Sequence, residues 1–206
     1  DPRYAKSNEC LRADGTVGPF IPAVQFKNFA GGGSAMSLQQ VAQSSSYRTN
    51  FGFYEASGTP VTLLLSMFNS AGTKLFDLPV NLAGGEQKML NSLLAQQGVT
   101  SLDDGRMQVT VNGGGKVTAY ASVVDNNSLD PQLVPAQNLG GTGANLYVVP
   151  GVADLHNGGA NWQSDLRIFN GAGGTQTTSL TFFPLDNASA PITRSVDVNA
   201  GEVKVL

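Results

Sequence analysis

The sequence predicts an all-β chain of two antiparallel β-sandwich domains, the second incomplete within its 206 residues. Three observations carry that expectation. Short runs of Val, Leu, Ile, Thr, Phe and Tyr recur between turn residues. Several of those runs alternate apolar and polar side chains. A stretch of the first half returns, position by position, in the last third.

The runs come first. They are FIPAVQF (20–26), TNFGFYE (49–55), PVTLLLSMF (60–68), KLFDLPVNL (74–82), RMQVTVN (106–112) and KVTAYASVV (116–124), then LYVVPGV (146–152), SDLRIFN (164–170), TSLTFFPL (178–185) and ITRSVDV (192–198). In RMQVTVN, Met107, Val109 and Val111 point one way and Gln108, Thr110 and Asn112 the other, as in a half-buried antiparallel strand. NGGGK (112–116) reads as the hairpin loop between two strands. One short helix is expected in NSLLAQQG (91–98), with Asn91 capping its first turn and Gly98 ending it. The 25 glycines and 10 prolines supply the many turns that such a chain needs.

The repeat aligns residues 47–72 with 162–187 at an offset of 115, so Tyr47 meets Trp162, Phe53 meets Ile168, Leu65 meets Leu180 and Phe68 meets Phe183. One inserted residue makes the offset 116, and Gly85, Glu86, Lys88 and Leu90 then meet Gly201, Glu202, Lys204 and Leu206. The first copy continues for some fifty residues past Leu90, whereas the second reaches Leu206 with no counterpart of them. The second copy is therefore expected to expose sheet edges and an apolar face. The N-terminal stretch 4–24 resembles 120–137: both begin Tyr-Ala, pass through a polar loop with Asp, and end in an aromatic or aliphatic pair before Pro-Ala. Tyr4 matches Tyr120 and Pro22 matches Pro135. The expected organisation is a candidate donor segment (1–24), a complete sandwich (25–139) and a partial sandwich (140–206).

Composition excludes much chemistry. With a formal charge of −3 and twelve Lys and Arg scattered along the chain, no basic face for nucleic acid is expected. No apolar run has the eighteen or so residues of a membrane helix. Cys10 is the only cysteine, so no disulfide forms within the chain. The first residue is Asp1 and no signal peptide is legible, so export is expected from composition alone.

No catalytic residue, metal site or cofactor is expected. His156, the sole histidine, lies in a polar Gly-rich loop and reads as a surface residue. DNNSLD (125–130) lacks the central Gly and distal Glu of a calcium loop and reads as an Asx-rich turn. Asp103 and Asp104 are adjacent, so in a strand they point apart. Lys116 follows three glycines but precedes Val117 and a strand, against the phosphate-loop pattern. Asn126 and Asn187 fit the N-x-[ST] acceptor pattern and are candidate glycosylation sites. Tyr47 and Trp162, recurring at one repeat position, read as core plugs.

The strings AYASVVDNNSLDPQLVPA (119–136), YRTNFGF (47–53), the Gly-Gly-Glu-Gln turn at Gly85 and VPGVADLHNGGANWQSDLRIFN (149–170) resemble secreted bacterial surface proteins. Those proteins carry tandem immunoglobulin-like β-sandwich repeats. The resemblance implies export, surface display and modular β-domains without assigned catalysis, and it supplies no active-site residues. The expected function is a non-catalytic structural subunit of a surface filament, pilus-like and extracellular. Its partners are copies of itself in a helical homopolymer joined by β-strand complementation. Tyr4, Phe20, Ile21, Val24, Leu146, Val148, Val205 and Leu206 are the candidate inter-subunit contacts. The competing expectations are an adhesin or carbohydrate-binding repeat, with glycans as partners, and an accessory domain of a secreted hydrolase.

Overall fold

The computed structural model describes residues 9–11, 17–19, 21–139, 146–157, 160–185 and 189–206. The chain is all-β, its strands pair antiparallel, and contacts divide it into two compact units. Unit 1 is Asp1–Asn69 with Thr73–Gly141; unit 2 is Ser70–Gly72 with Thr142–Leu206.

Unit 1 opens with β1 (Glu9–Leu11) and β2 (Val17–Pro19), which pair with each other in a two-stranded sheet of their own. After a 3-10 turn (Phe26–Asn28) come β3 (Ala30–Gly31), β4 (Ala35–Gln43), β5 (Tyr47–Glu55), β6 (Val61–Phe68), β7 (Lys74–Leu82) and β8 (Gln87–Leu90). A four-residue helix α1 (Leu93–Gln96) leads to β9 (Leu102–Gly113), β10 (Lys116–Asp125), β11 (Pro131–Pro135) and β12 (Gln137–Leu139). One sheet runs β11-β10-β5-β8, with β3 also on β10; the other runs β12-β4-β9-β6-β7. The strands β9 and β10 are consecutive and joined through Gly114 and Gly115, but they belong to opposite sheets and do not pair with each other.

Alternation builds the core between the sheets. Leu63, Leu65 and Met67 of β6, Met107, Val109 and Val111 of β9, and Met36, Leu38 and Val41 of β4 face Phe51 and Phe53 of β5 and Ala119, Ala121 and Val123 of β10. The half-buried strand read in RMQVTVN is present with the expected faces, but NGGGK is not a hairpin loop: it carries the chain from one sheet to the other, because β9 pairs with β4 and β6 while β10 pairs with β5 and β11.

Unit 2 holds β13 (Asp154–Asn157) with β14 (Ala160–Gln163), β15 (Arg167–Phe169) with β18 (Val203–Val205), and β16 (Gln176–Phe182) with β17 (Ile192–Val198). Each pair is a separate two-stranded sheet among the described residues. Among the described side chains of unit 2 the core is thin: of the large apolar ones only Val198 and Val203 are buried.

Several local expectations are corrected. FIPAVQF and LYVVPGV contain no strand at their described positions; residues 21–25 and 146–149 carry no regular secondary structure. β-forming composition does not make a strand where nothing supplies the second row of hydrogen bonds. The polar sequence AMSLQQVAQ does form a strand, β4, because β9 and β12 flank it; a bulge near Gln40 (φ 59°) absorbs its irregular pattern. In α1 the N-cap is Ser92, not Asn91, and no side chain caps it. The Asn91 backbone carbonyl instead accepts from the Gln96 side chain. Gly98 follows the helix with φ 77°, as the expected stop requires.

Candidate functional site

The repeat is reproduced in backbone geometry, hydrogen bond by hydrogen bond. In unit 1, β5 pairs β8 with Gly52 opposite Met89, Phe53 opposite Lys88 and Tyr54 opposite Gln87. In unit 2, β15 pairs β18 with Arg167 opposite Val205, Ile168 opposite Lys204 and Phe169 opposite Val203. Those are the same repeat positions. β6 and β7 pair Val61 with Leu82 and Thr62 with Asn81; β16 and β17 pair Gln176 with Val198 and Thr177 with Asp197. Even the cross-strand side-chain bond recurs: Thr62 Oγ1 to Asn81 Oδ1 at 2.8 Å, and Thr177 Oγ1 to Asp197 Oδ1 at 2.6 Å.

The Gly-Glu turn before β8 and β18 is duplicated as well. Gly85 and Gly201 have φ of 76° and 74°, a left-handed conformation that favours glycine. Ala83 N–H donates to Glu86 Oε2 and Asn199 N–H to Glu202 Oε2, each at 2.7 Å. Lys88 and Lys204 pair with these glutamates at 3.0 and 3.6 Å. Both carboxyls are held below their usual pKa, chiefly by those backbone bonds.

Repeat position 55/170 differs in chemistry. Glu55 is fully buried at the end of β5. Its carboxylate accepts from Ser57 Oγ and from the backbone N–H of Ser57, Gly58, Gly85 and Lys116, thereby tying three loops together. Burial alone raises its pKa, but the Ser57 hydroxyl and the Gly85, Ser57 and Lys116 amides outweigh it and lower the value to about 2. The counterpart Asn170 is also buried. Its Oδ1 accepts from Ala172 N–H, and its Nδ2 donates to the Gly174 and Val198 carbonyls. A carboxylate suits a site of converging donors; a carboxamide suits one donor and two acceptors.

Where the copies diverge is in what covers them. In unit 1, β6 pairs β9 along Val61–Phe68, and β5 pairs β10 along Tyr47–Glu55. Unit 2 has no counterpart of β9 or β10 among the described residues, so β16 has a strand partner only in β17. The exposures follow. Leu65 is buried and its counterpart Leu180 half-buried. Met67 is 0% exposed and its counterpart Phe182 46%. Phe183, Leu185 and Ile192 are exposed beside it, as are Leu146, Tyr147, Val148 and Val149. This apolar surface is the candidate functional site.

Of the candidate contact residues, Ile21, Val24, Leu146, Val148, Val205 and Leu206 are all exposed. Val205 repeats Met89, which is exposed too, so this position faces outward in both copies. Leu206 repeats Leu90, which packs on the unit 1 core, and exchanges two 2.9 Å backbone bonds with Leu166. Tyr4, Phe20 and Asn187 lie outside the described residues.

The Asn126 carboxamide is engaged within the protein: Nδ2 donates to the Ser45 carbonyl and Oδ1 accepts from Arg48. Asp125 accepts from the N–H of Asn127 and Ser128, which makes DNNSLD an Asx turn. The core-plug expectation for Tyr47 is overturned. Tyr47 is exposed because it opens β5 at the end of the sandwich, and buried positions start at Thr49. His156 lies in β13, not in a loop, and its backbone pairs with Asn161. No cluster of three metal-ligating side chains occurs among the described residues, and no described helix is long and apolar enough to cross a membrane.

The fold defines an all-β sandwich protein with an internal duplication. No family model matches the chain, and no curated protein matches it. A solved structure, the crystal structure of Thermotoga maritima 1070, is similar over 53% of this chain and 94% of that chain, with 9% sequence identity and a TM-score of 0.41.

Proposed function

We propose that this protein is a non-catalytic structural subunit of a secreted bacterial surface filament, a pilus-like homopolymer built head to tail. Unit 2 of one copy accepts residues 4–24 of the next, whose sequence follows that of the strands β10 and β11 of unit 1. The observation that carries this reading is the paired contrast between the repeats. The same strands in the same register bury Leu65 and Met67 in unit 1 but leave Leu180 half-buried and Phe182 exposed in unit 2. Strand addition across copies completes the sheet, and a heterologous contact of this kind propagates rather than closes.

Magnitudes favour a joint that uses both side chains and backbone. Burying one large apolar side chain contributes about 1.5–3 kcal/mol. Association costs about 4–15 kcal/mol in lost freedom. Two or three side chains only break even. Leu146, Tyr147, Val148, Leu180, Phe182 and Phe183 supply at most about 9–18 kcal/mol, which reaches the range of that cost, and a row of strand hydrogen bonds adds to it. Residues 4–24 match the second half of β10 and β11 but not residues 91–119, so the remaining surface is covered by neighbouring domains of the polymer.

The test is truncation. The full chain sediments as a polymer, and the chain lacking residues 1–24 stays as discrete subunits or precipitates amorphously. Filaments of ordinary length from the truncated chain would refute the proposal.

A further inference from the structure

The N-terminal segment contains a described residue whose environment does not match its repeat position. The pairs Phe20-Ile21 and Leu133-Val134 each precede Pro-Ala, so Ile21 falls on Val134 and Val24 on Gln137. In unit 1, Val134 is 7% exposed, lies opposite Ala121 of β10, and belongs to the core. Ile21 is 47% exposed. Gln137 is exposed, and so is Val24. One of these two apolar side chains thus occupies an inward position of the repeat and the other an outward one.

β1 and β2 pair antiparallel in a two-stranded sheet that is hydrogen-bonded to neither sheet of unit 1; β2 lies against β11, and Ile21 falls beyond its last paired residue, Pro19. β11 lies beside β4 in unit 1. At the offset of 115 the counterpart of β4 in unit 2 is the stretch 150–158, where Val152 is exposed. Unit 2 thus leaves an apolar side chain, Val152, exposed at the counterpart of the strand that β11 lies beside in unit 1.

We infer that Ile21 is the anchor of the joint: in the assembled protein it enters the core of unit 2 of a second copy, at the place Val134 holds in unit 1, while Val24 remains at the surface. This rests on the head-to-tail reading above and adds to it a register and a single specificity-determining side chain. Val134 sits within the apolar core of unit 1, so a carboxylate carried into the matching position is buried without a partner, whereas at Val24 it stays in water.

The experiment measures the polymer fraction of the full-length chain by sedimentation and electron microscopy, with thermal unfolding of the unassembled subunit as a control. Ile21→Asp is expected to cut the polymer fraction at least tenfold without shifting the subunit's unfolding, since the side chain is exposed there. Ile21→Val, which reproduces the side chain of unit 1, assembles within twofold of the unmodified chain. Val24→Asp does the same.

Ile21→Asp assembling normally, or Val24→Asp failing as badly as Ile21→Asp, overturns the anchor and its register. The head-to-tail reading survives both results provided removal of residues 1–24 abolishes assembly. An unmodified chain that stays monomeric at every concentration, or a truncated chain that polymerises, overturns the reading and the anchor together.

Discussion

Glu55 and Asn170 occupy one repeat position and do related work with different chemistry. The Glu55 carboxylate collects four backbone N–H groups and a hydroxyl, which holds its pKa at about 2 against a usual value of 4.5. A carboxyl with a lowered pKa adds stability that is complete above about pH 4.5 and disappears as the pH falls toward 2. Unit 1 is therefore expected to lose stability across that window. Glu55→Gln should destabilise it at neutral pH by about 2 kcal/mol, because an amide nitrogen is set against amide donors, and should flatten the acid dependence. Denaturant titrations at pH 7, 4 and 2.5 check both. This role was not legible in the sequence, where Glu55 is only the last residue of the run TNFGFYE. The available signal was the turn that follows, Ser57-Gly58, together with a second polar residue at the matching place in the repeat. Tyr47 failed for the opposite reason: recurrence fixed its repeat position but said nothing about which layer of the sandwich that position occupies.

At the scale of the strand, the alternating runs were legible because their faces differ in chemistry; β6, β7, β9 and β10 lie where the pattern puts them. Strand β4 was hidden because Ser37, Gln39 and Gln40 break its apolar row around a bulge. FIPAVQF and LYVVPGV were overread because composition reports the ability to pair and not the presence of a partner. The pairing also predicts energetics. Leu65→Ala empties a closed core and should cost about 2–5 kcal/mol. Leu180→Ala, the same change at the same repeat position, removes a half-buried side chain and should cost the unassembled subunit less than about 1 kcal/mol. Thermal unfolding of the two variants side by side measures the difference. In the proposed polymer, the Leu180 change should become the more visible one, lowering the assembled fraction.

For the whole molecule, the duplication was readable from sequence because core-facing residues recur at a fixed offset, and the strand pairs repeat it in register. The partner was not, since a sheet edge accepts any strand with suitable side chains, and only the likeness of 4–24 to 120–137 singles out a copy of this chain. Cryo-electron microscopy of the purified full-length protein is the most direct measurement. It should find subunits joined in a continuous line, with residues 4–24 of each copy seated against residues 146–206 of its neighbour. Separate subunits, or a line in which residues 146–206 are covered from within their own chain, would contradict it.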